Sequence, residues 1–355
     1  MPVPNSHCSV PVLLLYDLDP SWTREEKDEI DALSAQLGDA IAAAGHPTDL
    51  VPVEDENIAA VLEGYDAMEH VVFNWCESVP GVPHSEQAVA ETLESLGFAY
   101  TGTPPAAIEL AEDKRRMKQL CDRAGIPTPE WRVYDRADAE GWTRFPAIVK
   151  AANEHCSEGI TRESVVTSAQ ELEERIAIVL DTCRQPALVE DFIDGREFHV
   201  WLWGNGHISM LPPVEMDFSG FNDIHDRLCS YDAKFVPGSA HYEGIEIIAP
   251  SLLDGGSLAE LERVCRAAYT AVGCRDYGRI DVRARDGVFH VLDVNPNADI
   301  SPDASLAWAA ECAGYTYGEA GSRIVKLAAL RHPVWCDDAG LHSALAAGDP
   351  CAGRT

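Results

Sequence analysis

The chain has 355 residues, 46% of them hydrophobic, enough for a full core and long for one domain, so two or three domains are expected. Its net charge of −32 disfavours nucleic acid and anionic membranes as partners. An acidic chain that binds a polyanion must gather its 27 lysines and arginines selectively, and no apolar run of about 18 residues offers a membrane span.

The 11 cysteines are odd in number and scattered, with no Cys-x-x-Cys pair. This argues against a zinc site or a disulfide framework and for reduced thiols in a cytoplasm. The apolar run Val10–Tyr16 has no Lys or Arg before it, which argues against a secretory signal.

In chain order, residues 10–16 read as a first strand and 23–44 as a helix. Thr23 and Glu26 form its capping box and Gly45 its stop. Val51–Val53 and His70–Asn74 read as strands with a helical segment between them, 85–96 as a helix, and Phe98–Tyr100 as a short strand. Strands alternating with helices imply a parallel sheet covered on both faces. Asp113-Lys114-Arg115-Arg116-Met117-Lys118 opens a helix that ends at Ala124-Gly125-Ile126-Pro127, and Pro146–Lys150 is a buried-type strand ending in lysine. Leu188-Val189-Glu190-Asp191-Phe192-Ile193-Asp194-Gly195-Arg196-Glu197 reads as a strand and turn, with Gly195 supplying the turn. The tail from Trp335 to Thr355 is rich in Ala, Gly and Asp and is expected to be poorly ordered.

The chemistry concentrates in Gly278-Arg279-Ile280-Asp281-Val282 and Val291-Leu292-Asp293-Val294-Asn295-Pro296, two strands joined by a turn at Asp286-Gly287. Acidic groups in core-like strands are costly unless paired or bound to a cation. Two carboxylates and an amide are hard oxygen ligands suited to Mg²⁺. Side chains on a strand alternate faces, so the loop length decides whether the acids converge. A two-residue loop pairs Arg285 with Val288 and turns Asp281 away from Asp293. A three-residue loop, Arg285-Asp286-Gly287, pairs Ala284 with Val288. It puts Asp281, Asp293 and Asn295 on one face with Arg279 opposite Asp293. The three-residue loop is the expectation here; an ordinary hairpin with a salt bridge is the alternative.

These segments, with Tyr100-Thr101-Gly102-Thr103 and Asp276-Tyr277-Gly278-Arg279-Ile280-Asp281, resemble the ATP-grasp superfamily. The closest likeness is to the D-alanine–D-alanine ligase branch, over roughly Val10 to Leu330. The resemblance implies an α/β (α+β) chain. An N-terminal parallel-sheet domain would span 1–113, a central small domain 114–197, a C-terminal ATP-grasp domain 198–335 and a tail 336–355. It implies ATP and Mg²⁺ (or Mn²⁺), with ATP between the second and third units. Lys114 and Lys150 match phosphate-binding lysines. Lys234, in Tyr231-Asp232-Ala233-Lys234-Phe235, matches the lid lysine, and Ser157 and Gly159 lie in the loop that closes over phosphates. Glu190, Phe192 and Ile193 match the adenine-reading linker: Glu190 accepting from the exocyclic amine, the Ile193 backbone on the ring edge, Phe192 packing on the ring. Glu197 matches the carboxylate that holds the ribose hydroxyls. Asp281, Asp293 and Asn295 match the metal ligands, and Arg279 the arginine that stabilises transferring charge. Ser305 and Leu306 match the pair that grips a substrate carboxylate at a helix start.

The departures are specific. The phosphate loop carries Glu154, His155 and Glu158 where the family is Gly- and Ser-rich. Phe235 replaces a usual Tyr, Asp293 a usual Glu, and no Gly follows Asn295. The first-strand turn, Tyr16-Asp17-Leu18-Asp19-Pro20, and the loop after the third strand, Phe73-Asn74-Trp75-Cys76-Glu77-Ser78, lack the family's substrate-binding residues. The ATP chemistry is therefore expected to be kept with a different substrate, which Asn74, Glu77 and Glu86 would face. The implied activity is an ATP-dependent carboxylate–amine ligase working through an acyl phosphate on amino acids or their derivatives. A ring-closing ATP-grasp enzyme and a non-catalytic ATP-binding protein are the alternatives. Ligases of this branch are commonly dimers, which makes a homodimer an expectation as well.

Overall fold

The structure, a computed structural model, describes residues 9–153, 159–229 and 238–347. Lys234 and Ser157 lie outside the described residues. The chain opens with β1 (Val12–Asp17), α1 (Arg24–Ala43), β2 (Thr48–Val53), α2 (Ile58–Leu62), β3 (Val71–Trp75), α3 (Glu86–Ser95) and β4 (Ala99–Tyr100). The four strands form a parallel sheet in the order β2-β1-β3-β4. β1 is apolar throughout because both faces are covered. Val12, Leu14 and Tyr16 enter one cluster with α1, and Leu13 and Leu15 enter another with α2 and α3. The capping box on α1 forms as the spacing requires, with Thr23 and Glu26 satisfying each other's backbone N–H. Gly45 follows the helix at φ 105.

α4 (Pro105–Glu112) and α5 (Lys114–Ala124) come next. Asp113 caps α5 by accepting from the Arg116 N–H at 2.9 Å, and Gly125 ends it in the left-handed region. Met117 and Cys121 of α5 are buried against the third sheet. The second sheet, β5-β8-β6-β7, is antiparallel: β5 (Trp131–Tyr134), β6 (Ala147–Ala151), β7 (Val165–Val166) and β8 (Ala187–Asp191), with α6 (Ala169–Thr182) on one face.

The third sheet holds β9 (Arg196–Trp203), β10 (Ser209–Met210), β11 (Val214–Asp217), β12 (Glu246–Ile248), β13 (Tyr277–Arg285) and β14 (Val288–Asn295). Its order is β12-β11-β9-β13-β14, with β10 also on β9. The remaining helices are α7 (Ala240–Gly244), α8 (Gly255–Val272), α9 (Ser305–Cys312), α10 (Tyr317–Ala329) and α11 (Ala339–Ala347). α8 covers the apolar face of this sheet, α9 packs on β9 and β11, and α10 lies against α1, β3 and β4 of the first unit. α11 corrects the expectation of a poorly ordered tail. Leu341 is fully buried in the first cluster, and Arg323 of α10 donates to the Leu345 carbonyl at 3.2 Å. Residues 348–355 lie outside the described residues.

Gly195 matters for space. A Cβ there would collide with the Ala284 carbonyl oxygen, because the β8–β9 link crosses the end of β13 at backbone distance. Gly195→Ala should therefore cost roughly 1–3 kcal/mol, read as a lowered urea midpoint. An unchanged midpoint would contradict the close approach.

Candidate active site

Alternation along β9, β13 and β14 gives the third sheet two unlike faces. Phe198, Val200, Leu202, Ile280, Val282, Val291 and Val294 point into the core with α8 and α5. On the other face, Glu197 stands opposite Arg283, His199 opposite Asp281, and Trp201 opposite Arg279. Asp281 in turn faces Asp293, and Arg279 faces Asn295.

This arrangement corrects the expected hairpin. The loop is the two-residue Asp286-Gly287 turn, with φ of 54 and 78, and Arg285 pairs with Val288. On its own, that turn would set Leu292 opposite Asp281 and send Asp293 to the core side. The register shifts between Asp281 and Val282, where Val282 pairs with Val291 and Asp281 with Asp293. Leu292 is thus the extra residue of a β-bulge, and the bulge returns Asp293 and Asn295 to the polar face. The expected convergence is present, but Arg279 lies opposite Asn295 rather than Asp293.

Lys118 holds the bulge. Its ammonium donates to the Val291 carbonyl (3.1 Å), the Leu292 carbonyl (3.0 Å) and Thr128 Oγ1 (2.7 Å). It also pairs with Glu190 at 2.6 Å. Lys150, from β6, meets the other Glu190 oxygen at 2.7 Å. Burial pushes the Glu190 carboxyl up, but the two lysines more than offset this and hold it at about 2. Both Glu190 oxygens are thus engaged by ammonium groups. The expectation that Glu190 stands open to an adenine amine gives way to a carboxylate that positions two lysines.

The proposed metal ligands are paired as well. Arg279 forks onto Asp281 at 2.7 and 3.0 Å, Asn295 Nδ2 donates to Asp281 Oδ2 at 3.0 Å, and Lys114 meets Asp293 at 3.0 Å. Asn295 Oδ1, turned by that bond, joins the two carboxylates as an oxygen donor. This hard set fits Mg²⁺.

Beside them, Arg283 donates to Glu197 at 2.6 Å, to the Ile193 carbonyl at 3.0 Å and to the Arg227 carbonyl at 2.5 Å. Its guanidinium lies over the Phe192 ring at 4.7 Å and the Phe218 ring at 5.1 Å. Phe192 is buried with Ile148, Val165 and Leu228. Arg283 went unnoticed in the sequence, although its place two residues beyond Asp281 puts it on the same face.

A second feature lies at the carboxyl ends of β1 and β3, where open parallel sheets place ligands. Asp17, Glu77, Glu86 and Asp299 meet there. Burial with Asp17 and Asp299 raises Glu77 to about 7. Burial, with Glu77, Glu112 and Asp17 adding to it, raises Glu86 to about 8 against the 2.5 Å bond from Asn297. Glu77 reaches solvent at the mouth of this acidic cleft, while the protein crowded around its carboxylate displaces enough water to raise it. Asn74 instead faces inward: it is 3% exposed, and its Oδ1 accepts from the Cys76 N–H at 3.4 Å, which braces the loop. Ser305 begins α9 and accepts from the Trp201 indole at 2.8 Å, keeping its O–H as a donor. The Leu306 side chain is in the core and offers only its backbone.

A parallel-sheet domain followed by two antiparallel sheets, with arginines, carboxylates and an amide gathered on one face of the third sheet, is the architecture of an ATP-grasp ligase. Residues 120–326 match the sequence family described as the D-ala D-ala ligase C-terminus, and the chain belongs to that family. A D-alanine–D-alanine ligase of Marinomonas sp. is 31% identical over 67% of this chain and 72% of its own. That of Carboxydothermus hydrogenoformans is 28% identical over 83% and 93%. An uncharacterized protein, y4sG, of Sinorhizobium fredii is 29% identical over 84% and 88%. The structure of the Bacillus anthracis D-alanine–D-alanine ligase complexed with ATP shares the fold. Its TM-score is 0.68 at 18% identity, with 90% of this chain and 97% of that one covered. Among the described residues, no helix is long and apolar enough to cross a membrane.

Proposed function

We propose that the chain joins a carboxylate and an amine of amino-acid-like substrates, with cleavage of ATP to ADP and phosphate. The observation that carries this is the gathering of Arg279, Asp281, Asp293 and Asn295 on one face, with Lys114 on Asp293 and Lys150 on Glu190. ATP binding alone has no use for an arginine beside the oxygen ligands.

In this reading the substrate carboxylate takes the γ-phosphoryl group of ATP, giving an acyl phosphate and ADP. The second substrate's amine, having lost a proton, adds to the acyl carbon. Inorganic phosphate then leaves and the amide remains. Lys114 and Lys150 neutralise phosphate oxygens, a role also proposed for Lys234 and for the loop at Ser157. Arg279 stabilises charge at the acyl centre, and the bidentate fork it now spends on Asp281 suits a phosphate equally well. Asp281, Asp293 and Asn295 would hold Mg²⁺, which supplies charge neutralisation between phosphates when bound. Glu197 binds the ribose hydroxyls, Phe192 and the Ile193 backbone bound the adenine site, and the Ser305 hydroxyl meets a substrate carboxylate.

The acidic cleft supports a substrate with a cationic amine, received by Glu77 with Asp17 and Asp299. Glu77 titrates at about 7, so the cleft gains negative charge as pH rises. KM for that substrate should fall as pH rises from about 6 to about 8, and Glu77→Gln should flatten the profile. A slope unchanged in the variant would remove Glu77 from binding.

The direct test measures ADP and phosphate release with MgATP and D- and L-amino acids, singly and in pairs, with mass spectrometry of the products. Release that requires a pair, with a dehydrated product mass, is the expected result. Release with one substrate alone would replace ligation by ring closure. ATP binding without release under any pair would overturn the reading.

A further inference from the structure

Glu197, His199 and Cys229 bring a carboxylate oxygen, an imidazole nitrogen and a thiol sulfur within 4.8 Å of one another, beside the hard oxygen set but sharing no residue with it. We propose that these three residues form a second metal site, for a borderline ion of the Zn²⁺ class, which closes the nucleotide site when filled.

Three observations carry this. First, Glu197 and His199 are two apart on β9, so alternation puts both on the polar face, and His199 Nε2 lies 3.8 Å from Glu197 Oε1. Donors around tetrahedral zinc, with bonds of about 2.0–2.3 Å, stand roughly 3.3–3.8 Å apart, so the pair is already nearly at ligand spacing. Second, the two Glu197 oxygens have separate tasks. Arg283 fixes Oε2 at 2.6 Å, which orients Oε1 toward His199 and Cys229 as an outer-shell partner orients a ligand. Third, the donor types differ from those of Asp281, Asp293 and Asn295. Nitrogen and sulfur select zinc-class ions, and all-oxygen sets select magnesium, so the two neighbouring sites discriminate by chemistry. Glu197 and His199 are both buried, and Cys229 is half-buried just before residues 230–237. Three protein ligands leave a fourth position for water. Binding takes the Cys229 proton and gives a thiolate on the metal.

The consequence rests on the ribose role proposed above for Glu197. An ion that engages Oε1 competes with the nucleotide, so Zn²⁺ inhibits by raising the apparent KM for ATP.

The test adds Co²⁺ to the full-length chain and follows thiolate-to-cobalt charge-transfer absorption in the near ultraviolet, a readout independent of activity. The wild type should show the band, and Zn²⁺ should abolish it. Cys229→Ser is nearly isosteric, and its thermal melt should match the parent. It should weaken Co²⁺ binding by at least about a hundredfold, the upper end for loss of an outer-shell partner alone, and His199→Ala should do the same. No band, or a band that survives Cys229→Ser through another cysteine, overturns the site. Saturating MgATP should suppress the band. A band that persists under MgATP overturns the competition and the ribose role of Glu197 while the metal site stands.

Discussion

Replacing Arg279 by alanine should lower kcat roughly a thousandfold and leave the chain folded. The loss follows from position. Arg279 projects from β13 between Asn295 across the strand pair and Asp281 two residues on, and both its Nε and Nη2 point along the polar face to Asp281. An oriented guanidinium among oxygen ligands is set to receive charge that develops during transfer, in a site sheltered from water. The fold survives because the pair is only partly withdrawn from solvent: the side chains of Arg279 and Asp281 are 12% and 16% exposed. Asp281 also keeps the Asn295 amide as a donor. Losing the pair costs about 1–3 kcal/mol against a typical total of about 5–15 kcal/mol. Arg279→Lys restores little, since an ammonium keeps the charge but cannot fork. The measurement is ADP release with the productive substrate pair, beside a thermal melt. Turnover within about tenfold of the parent would remove Arg279 from the chemistry.

What the sequence discloses here depends on whether a signal is local. Thr23 and Glu26 act across a single turn, and Asp113 and Gly125 bracket one helix, so residue type and spacing suffice. The parallel first sheet is written in the apolar strands and the helices between them. The convergence of Asp281, Asp293 and Asn295 is half legible. Alternation shows that one of two registers must bring them together. The loop does not make that choice, because Asp286-Gly287 forms the shortest turn and leaves Asp281 and Asp293 on opposite faces by itself.

The true device is the bulge at Leu292, and nothing within the hairpin announces it. Its cause is Lys118, 173 residues before Val291, and Thr128, which donates to the Val291 carbonyl at 2.9 Å. Gly195 is similar. It sits where a turn residue is expected, yet its necessity is the Ala284 carbonyl on another strand. The α11 helix was missed for the opposite reason. Ala, Gly and Asp read as disorder in isolation, and only the burial of Leu341 against the first cluster makes the segment a helix. The linker at Glu190 shows a further limit: its two lysines lie on separate elements, so the sequence leaves Glu190 facing a ligand when it faces Lys118 and Lys150.

Lys118→Met separates the two roles of the Lys118 ammonium, pairing Glu190 and gathering the bulge. The methylenes of methionine fill the space of the lysine stem, so packing is largely kept, while four polar partners lose their donor. Glu190, 1% exposed at its side chain, retains Lys150 alone. With Lys150 still beside the carboxylate at 2.7 Å, losing this charged hydrogen bond costs about 1–3 kcal/mol. The bulge has a separate fate. The Val291 and Leu292 carbonyls lose the ammonium that gathers them, and β14 is the sheet's edge strand, so the irregular register is left to the Val291 N–H on the Pro127 carbonyl (2.8 Å) and to Thr128 on the Val291 carbonyl. A slip by one residue sets Leu292 opposite Asp281 and turns Asp293 to the core side. Lys118→Met should therefore lose both stability and affinity for Mn²⁺ used as a probe of the oxygen ligands. The double variant Lys118→Met with Glu190→Gln separates the two effects. It removes the buried carboxylate oxygen left without its ammonium, while Lys150 keeps the field of Asp293 and Glu197, so the urea midpoint should recover in part, whereas Mn²⁺ binding and turnover should stay low because the ammonium that gathers the bulge carbonyls is still missing. Recovery of Mn²⁺ affinity together with stability would show that Lys118 serves only to neutralise Glu190. Failure of both variants to lose Mn²⁺ affinity would show that the bulge holds itself.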